Sequence, residues 1–353
     1  MTSLQRTAIR LGPISIRWRA RIVLVSIIAA VLAIALAVIA LGVGDFRATP
    51  ARVIEVLLGG GERAERLVIL NIRLPRIVIA ILVGACLAIS GAIIQTTARN
   101  SLASPDLLGV TTGAGAGAVA VIVLGGGGEA VGILRTLGVP AAALIGGFAA
   151  AALVAILLRI SGASGLRPIL VGIGVSAFFG GLTSWMLIAA SIDDAERATA
   201  WLTGSLGGRS WPEVTTVGIA LALSVIVLVP LAARLPTLEL GSDVAGSLGV
   251  RVPATTVGLL AAAVVLAAVP ASAVGPIGFV ALVAPHLARL ACATPRPPLV
   301  ASALIGALLL LASDLVARVA FAPILLPTGA VTALVGAPFL VWLLVRSRKD
   351  LLR

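Results

Sequence analysis

Nine uncharged stretches of helical length constrain this chain more than any other feature of its sequence. They cover residues 22–44, 77–98, 107–128, 136–158, 168–192, 214–233, 252–288, 297–313 and 319–345. A helix rising 1.5 Å per residue needs about 20 apolar residues to cross a hydrocarbon core of about 30 Å, and each run reaches or approaches that length. The run 252–288 is too long for one crossing and is punctuated by Pro270, Gly275 and Pro276, so it divides there and the chain has ten helices. None of the runs alternates apolar and polar residues as a strand would, which sets aside a membrane β-barrel.

Composition agrees with this reading. Apolar residues make up 60% of the chain and charged residues 11%, against roughly 45–50% and roughly 25% in soluble domains. The fold class is therefore an all-α integral membrane protein of about ten transmembrane helices. A basic tail (1–21) precedes the helical domain (22–345), and a short basic tail (346–353) follows it. The first run follows several arginines as a signal peptide does, but its apolar stretch is longer and lacks a convincing cleavage site, so it is read as the first membrane helix. Cys86 and Cys292 have no metal-ligand spacing and read as packing residues.

Charge sets orientation. With the amino end inside, the inner segments hold 16 basic and 4 acidic residues, while the outer segments hold 10 of each. The whole net charge of +12 then falls on the cytoplasmic side, as the positive-inside rule requires. Both termini are cytoplasmic on this reading, and the charge gives no reason to invoke nucleic acid. The basic amino-terminal tail, with Trp18, reads as an orientation signal lying against lipid headgroups.

Residues 73–117 are the centre of the sequence. Two uncharged runs flank a short polar loop holding Arg99, Asn100, Pro105 and Asp106. Gly84, Ala88, Ser90 and Gly91 in one run, and Gly109, Gly113, Gly115 and Gly117 in the other, stand at spacings that let helix backbones touch. The expectation is two close-packed helices forming a pathway wall. Gln95 either lines that pathway or bonds a neighbouring helix. The glycines 113–117 are no phosphate loop, having neither a preceding strand nor the lysine.

Elsewhere, residues 45–72 read as a short amphipathic helix and a turn on the outer surface, with Pro75 in the first turn of the second helix. Arg73 and Arg76 are either snorkelling interface markers or fixed positive posts for an acidic partner. Residues 191–213 read as a surface half-helix with aromatic anchors. The longest inner loop, 235–253, has room for two short helical turns stopped by Gly241 and Gly249, and suits docking to a cytoplasmic partner. Gly275 to Phe279 is expected to break the chain on the outer side. His286 is the chain's one histidine, which excludes a histidine metal site and a histidine relay. Asp314 and Arg318, four apart, share a helix face and neutralise one another.

RLPR (73–76), GACLAISGAIIQ (84–95), RNSLASPDLLG (99–109), WLTGSLGGRSW (201–211), LGSDVAGSLGV (240–250), GPIGFVALVAPHLAR (275–289), DLVAR (314–318) and LPTGAVTALVGAPF (326–339) together resemble the iron-complex (FecCD-type) permease family of type II ABC importers, which also includes the vitamin B12 permease. The ferric-siderophore members, of the ferric enterobactin type, are the most similar. The resemblance implies a permease subunit sharing one pathway with a second permease, a paralogue or an identical copy. It also implies two cytoplasmic ATP-binding cassette subunits, an external substrate-binding lipoprotein and a ferric-siderophore cargo. ATP is used by the partner subunits, and no cofactor is bound directly. By the same resemblance Arg73, Arg76 and Arg318 would dock the binding protein, and Asn100, Leu102, Ser164 and Gly165 would form the cytoplasmic gate. Glu239, Leu240, Gly241, Ser242, Asp243, Ala245, Leu248, Gly249 and Val250 would couple to the ATPase.

The same importer class also carries cobalamin or haem, which stands as the alternative cargo. An ion-coupled secondary transporter is the remote alternative, but it wants an acid near the bilayer midplane and none of the uncharged runs contains one. An intramembrane enzyme lacks any Ser/His or paired-carboxylate constellation, so the chain reads as a transport subunit.

Overall fold

Lipid leaves the backbone no water to bond, so each apolar run must close its hydrogen bonds within itself as a helix. The computed structural model describes residues 8–11, 14–17, 19–43, 49–125, 132–161, 167–238, 240–321 and 324–351. The principal helices are α1 (Ala20–Gly42), α2 (Leu74–Thr97), α3 (Val110–Leu124), α4 (Gly132–Ser161), α5 (Arg167–Ala189), α6 (Trp211–Ala232), α7 (Val252–Val274), α8 (Val280–Cys292), α9 (Leu299–Val319) and α10 (Thr328–Leu351). Among the described residues, seven helices are long and apolar enough to cross a membrane; three shorter apolar ones (110–124, 280–292 and 328–343) complete the ten that the sequence predicts.

α2 is the hub. It packs against α6, α7, α8 and α9, while α3, α4 and α5 form a second group that α7 joins to the first. Small residues bring the backbones together, as membrane helices require when burial from water no longer separates helix–helix from helix–lipid contact. A side chain at Gly84 would strike the backbone of Gly306 in α9, and one at Gly91 would strike the Ala281 carbonyl in α8. Gly113 and Gly117 of α3 meet Gly146 and Ala142 of α4 in the same way. The glycine rows thus do bring backbones into contact, but with other partners than expected: α2 and α3 pack on different neighbours rather than mainly on each other.

Local chemistry explains several boundaries. Ser210 and Glu213 form a reciprocal cap that starts α6, satisfying first-turn N–H groups that have no helical acceptor. Gly275, at φ +81°, ends α7. Pro105–Leu108 makes a 3₁₀ turn that ends on Gly109 at φ +75°, so α3 starts at Val110, later than the uncharged run does.

Four expectations change. First, α2 does not open at Pro75: it continues a helix running from Arg63 to Thr97, 35 residues in all. Residues Leu67–Arg73 form a wide π turn just before the proline. Pro75 has no N–H to give and its ring crowds the carbonyl four residues back, and a widened turn accommodates both. Second, the break at 275–279 lies inside the bundle. α8 has only 13 residues, about 20 Å at 1.5 Å per residue, and Gly275 and Ile277 are buried. The loop 203–206 closes over it, with Ser205 N–H donating to the Val274 carbonyl at 2.9 Å and Gly329 N–H donating to the Gly204 carbonyl at 3.0 Å. Third, α9 runs on to Val319 and α10 begins only at Thr328, after Pro323 and Pro327 in the sequence. Fourth, the basic tail holds a two-stranded antiparallel hairpin, Ala8–Leu11 with Ile14–Arg17, flanking the turn-forming pair Gly12 and Pro13 in sequence. Trp18 lies outside the described residues.

Of the outer segment, residues 49–62 form the expected short helix and turn, and residues 63–72 join the helix of α2. The helix Pro50–Leu57, capped by Thr49, buries Val53 and Val56. Arg52 bridges Glu55 and Glu65 at 2.9 Å each, and this pairing with Arg52 holds the Glu65 carboxyl below its ordinary range. Ile192–Leu202 is the surface helix, with the Ser191 hydroxyl accepting from Asp194 N–H.

Candidate functional site

Two polar clusters lie at opposite ends of α2. At the end expected to face outward, called the outer end from here on, Asp314 of α9 is fully buried and draws three groups together. Arg76 approaches it as a fork, with Nη2 2.9 Å from Oδ1 and Nε 3.1 Å from Oδ2. Arg318 Nε lies 3.3 Å from Oδ2, and the Thr328 hydroxyl donates to Oδ1 at 3.0 Å. A planar guanidinium meeting a carboxylate on two bonds is the strongest form of such a pair. The expected neutralisation of Asp314 by Arg318 is present, but Arg76 holds the better geometry.

The three arginines expected at the outer face fare differently. Arg73 is only 7% exposed and donates through Nη1 to the Leu41 carbonyl of α1 at 2.6 Å. It ties two helices together and is not a free post, because it lies one and two turns before Ile77 and Ala80, on the buried face of α2. The Arg76 and Arg318 side chains keep 18% and 13% exposure. Arg318 Nη2 is buried without a hydrogen-bond partner. Among the described residues, the Asp314 carboxylate is shared by two guanidiniums, Arg76 and Arg318, so this pairing leaves one positive charge in surplus.

At the inner end, α2 stops at Thr97 and Arg99 takes up left-handed backbone, φ +50°. Its guanidinium donates to the Leu238 carbonyl at 2.6 Å, linking the loop after α2 to the segment between α6 and α7. Asn100 Oδ1 accepts from Leu102 N–H at 2.9 Å, which turns the loop back toward the bundle. Asp106 faces the Thr111 hydroxyl and the Phe279 N–H, and burial pushes its carboxyl up to about 6 against those two bonds. Phe279 itself is left-handed at φ +67°. Ser164 and Gly165, the other expected gate residues, lie outside the described residues.

The segment between α6 and α7 is two short helices, Leu235–Leu238 and Ser242–Ser247, stopped by Gly241 and Gly249 at φ +111° and +82°. Leu240, Val244 and Leu248 are exposed while Ala245 is buried, so an apolar edge points away from the bundle. Glu239 lies outside the described residues. Gln95 is buried and donates to the Leu282 carbonyl of α8 at 3.2 Å, which gives it the helix-bonding role of the two open to it and not the pathway-lining one. His286 is buried, edge-on to Phe339, with Arg289 at 3.3 Å from Nδ1.

Sequence reasoning passed over Thr328, Arg99 and Asp106 as parts of these clusters. Arg99 is joined to Leu238 across 139 positions, a separation at which no periodic signal operates.

An all-helical bundle with short polar loops, an arginine-rich outer end and a pair of short helices protruding between α6 and α7 defines the class: the membrane-spanning permease subunit of a transporter. The chain belongs to the FecCD transport family, which it matches over residues 13–346. It is 37% identical to the ferric enterobactin transport system permease protein FepG of Escherichia coli, over 85% of this chain and 89% of that one. It is 38% identical to the probable siderophore transport system permease protein YfhA of Bacillus subtilis, over 94% and 96%. Among solved structures, an inward-facing conformation of a transporter assigned to the metal-chelate ABC type superposes with a TM-score of 0.77 at 29% identity, covering 91% of this chain and 99% of that one. The protein is thus a multi-pass permease subunit of an ABC importer, not an enzyme. Membership of that class implies a second permease and ATPase subunits as its working partners.

Proposed function

We propose that this subunit forms one half of the pathway by which a ferric siderophore crosses the cytoplasmic membrane, with both of its termini in the cytosol. The observation that carries the cargo is the near full-length similarity, at 37% and 38% identity, to two permeases named for ferric enterobactin and siderophore transport. The second permease completes the wall, one of the two ATP-binding cassette subunits docks on residues 239–250, and an external lipoprotein delivers the chelate.

The positive surplus around Asp314 supports docking of an acidic surface on the outer face. Arg76 and Arg318 would make that contact, because Arg73 is committed to α1. Charge pairing of this kind sets register and encounter rate more than affinity. On the inner face, the Arg99–Leu238 bond supports a direct path from the ATPase-docking segment to the gate loop at Asn100 and Leu102.

The test is uptake of iron-55 siderophore by cells lacking the chain, with and without its restoration. Uptake should require this subunit and ATP and survive a protonophore. Uptake of cobalamin or haem, with no ferric siderophore carried, would replace the cargo; uptake without ATPase subunits would sink the mechanism.

A further inference from the structure

A cleft of about 400 Å³ opens between the inner ends of α6 and α7, on the side of the bundle that carries Arg99 and the two short helices. Its mouth carries Arg234 and Arg251, both exposed, and its floor is Thr255, which is buried. Arg234 Nη1 lies 3.3 Å from the Thr255 hydroxyl, so one guanidinium is already held over the floor. Leu231 and Val250 supply apolar walls.

Two features say what such a cleft takes. Its described lining holds two cations and no acid, so it favours an anion. Its lining reaches the ends of membrane-crossing helices, since Thr255 closes the first turn of α7 and Leu231 is the penultimate residue of α6. Two residues further along α7, Val257 is 61% exposed and faces what must be lipid or a partner. An occupant bonded to both arginines and continuing along that surface must be anionic at one end and apolar at the other. A carboxylate of a cytosolic protein meets only the first condition. Basic pockets between helices at the cytoplasmic interface bind lipid headgroups for this reason.

We propose that this cleft is a headgroup site for an anionic phospholipid, whose phosphate bridges Arg234 and Arg251 while its chains lie along α7. A lipid there would fill the junction between the membrane bundle and the two short helices that follow α6.

The intact transporter, purified with its partner subunits in non-ionic detergent, is offered phosphatidylglycerol or phosphatidylcholine, and retained lipid is counted by native mass spectrometry. Phosphatidylglycerol should be retained in preference. Each arginine near the surface contributes about fivefold, so Arg251→Gln should lower retention about fivefold and the Arg234→Gln, Arg251→Gln pair about 25-fold. An Arg234→Lys, Arg251→Lys pair, which keeps both charges, should hold most of it and shows that loss is not misfolding. The proposal is overturned if phosphatidylcholine binds as well, or if the glutamine pair retains phosphatidylglycerol unchanged. It is equally overturned if millimolar inorganic phosphate displaces the lipid, which would mark a free-anion site. Retention by the isolated subunit but not by the complex would show instead that a partner protein fills the cleft.

Discussion

Replacing Asp314 by Asn removes one negative charge and almost no volume, and it should be among the most damaging single changes in the outer half of the bundle. The carboxylate is 0% exposed, with Arg76 at 2.9 Å and Arg318 at 3.3 Å. Arg73 and Arg76 both lie close enough to Arg318 to repel it. Removing one partner of a buried ion pair costs about 3–5 kcal/mol, because the other charge stays buried unpaired. The two arginine side chains keep 18% and 13% exposure, so some water reaches them and the lower end, about 3 kcal/mol, applies. Asn keeps an oxygen for the Thr328 hydroxyl, so the loss measures charge rather than that bond. Reversible unfolding of the purified subunit in mixed detergent micelles gives the free energy. The cycle through Arg318→Met should recover at least about 1 kcal/mol, since a buried pair replaced by apolar groups is often neutral. A loss below about 1 kcal/mol for Asp314→Asn, or no coupling in the cycle, would mean the arginines are solvated in place and the cluster holds nothing together.

Gly91→Ala should destabilise by about 1–3 kcal/mol as an overpacked contact, because the added methyl meets the Ala281 backbone; Gly174→Ala, with open space at the same atom, should lose nothing, and the same unfolding assay compares them. Arg99→Gln should leave the subunit folded but lower siderophore uptake per ATP hydrolysed about tenfold, since a bond from a charged donor is worth about 1.5–3 kcal/mol; unchanged coupling in proteoliposomes would remove the Arg99–Leu238 bond from the mechanism. The Asp106 carboxyl stands at about 6 against an ordinary 3.8, so the folded form holds that proton more tightly than the unfolded one. Its stabilising contribution is therefore complete below the ordinary value and is lost as pH rises toward about 6, beyond which it is flat; Asp106→Asn should abolish that slope in unfolding measured across the window.

What could be read in advance follows from what lipid penalises. A charge inside the hydrocarbon core is so costly that the uncharged runs, with one divided at Pro270 to Pro276, locate the ten helices, and the arginine asymmetry carries the proposed orientation. Caps such as Ser210 with Glu213, and stops such as Gly241, Gly249 and Gly275, act over a few residues and so are written locally. Pairings between distant helices are not. Nothing in the sequence near Gly84 says that its partner is Gly306 rather than a glycine of α3, because every membrane helix here offers small residues and only the summed packing decides. Arg73 is a further case: it stands four and seven residues before Ile77 and Ala80, both buried, so ordinary helical spacing puts it on the inward face, but nothing local names the Leu41 carbonyl of α1 as its partner.

The two polar clusters also limit how the subunit can move. The 35-residue helix that contains α2 is pinned near its outer end to α9 through Arg76 and Asp314, and just beyond its inner end to Leu238 through Arg99. Between them, Gly84 on Gly306 and Gly91 on Ala281 leave no gap in which α2 can slide along α8 or α9. Close packing makes such contacts switch between discrete arrangements rather than stretch. A push on the segment between α6 and α7 must therefore either break the Arg99 bond or turn α2 with α8 and α9 as one body. In the second case the arginines at the outer end turn as well, and events at the two faces are coupled through a single rigid element. If the proposed external binding protein docks here, weakening the outer pin alone, by Arg76→Gln, should reduce the dependence of ATP hydrolysis on that protein while leaving the hydrolysis itself intact.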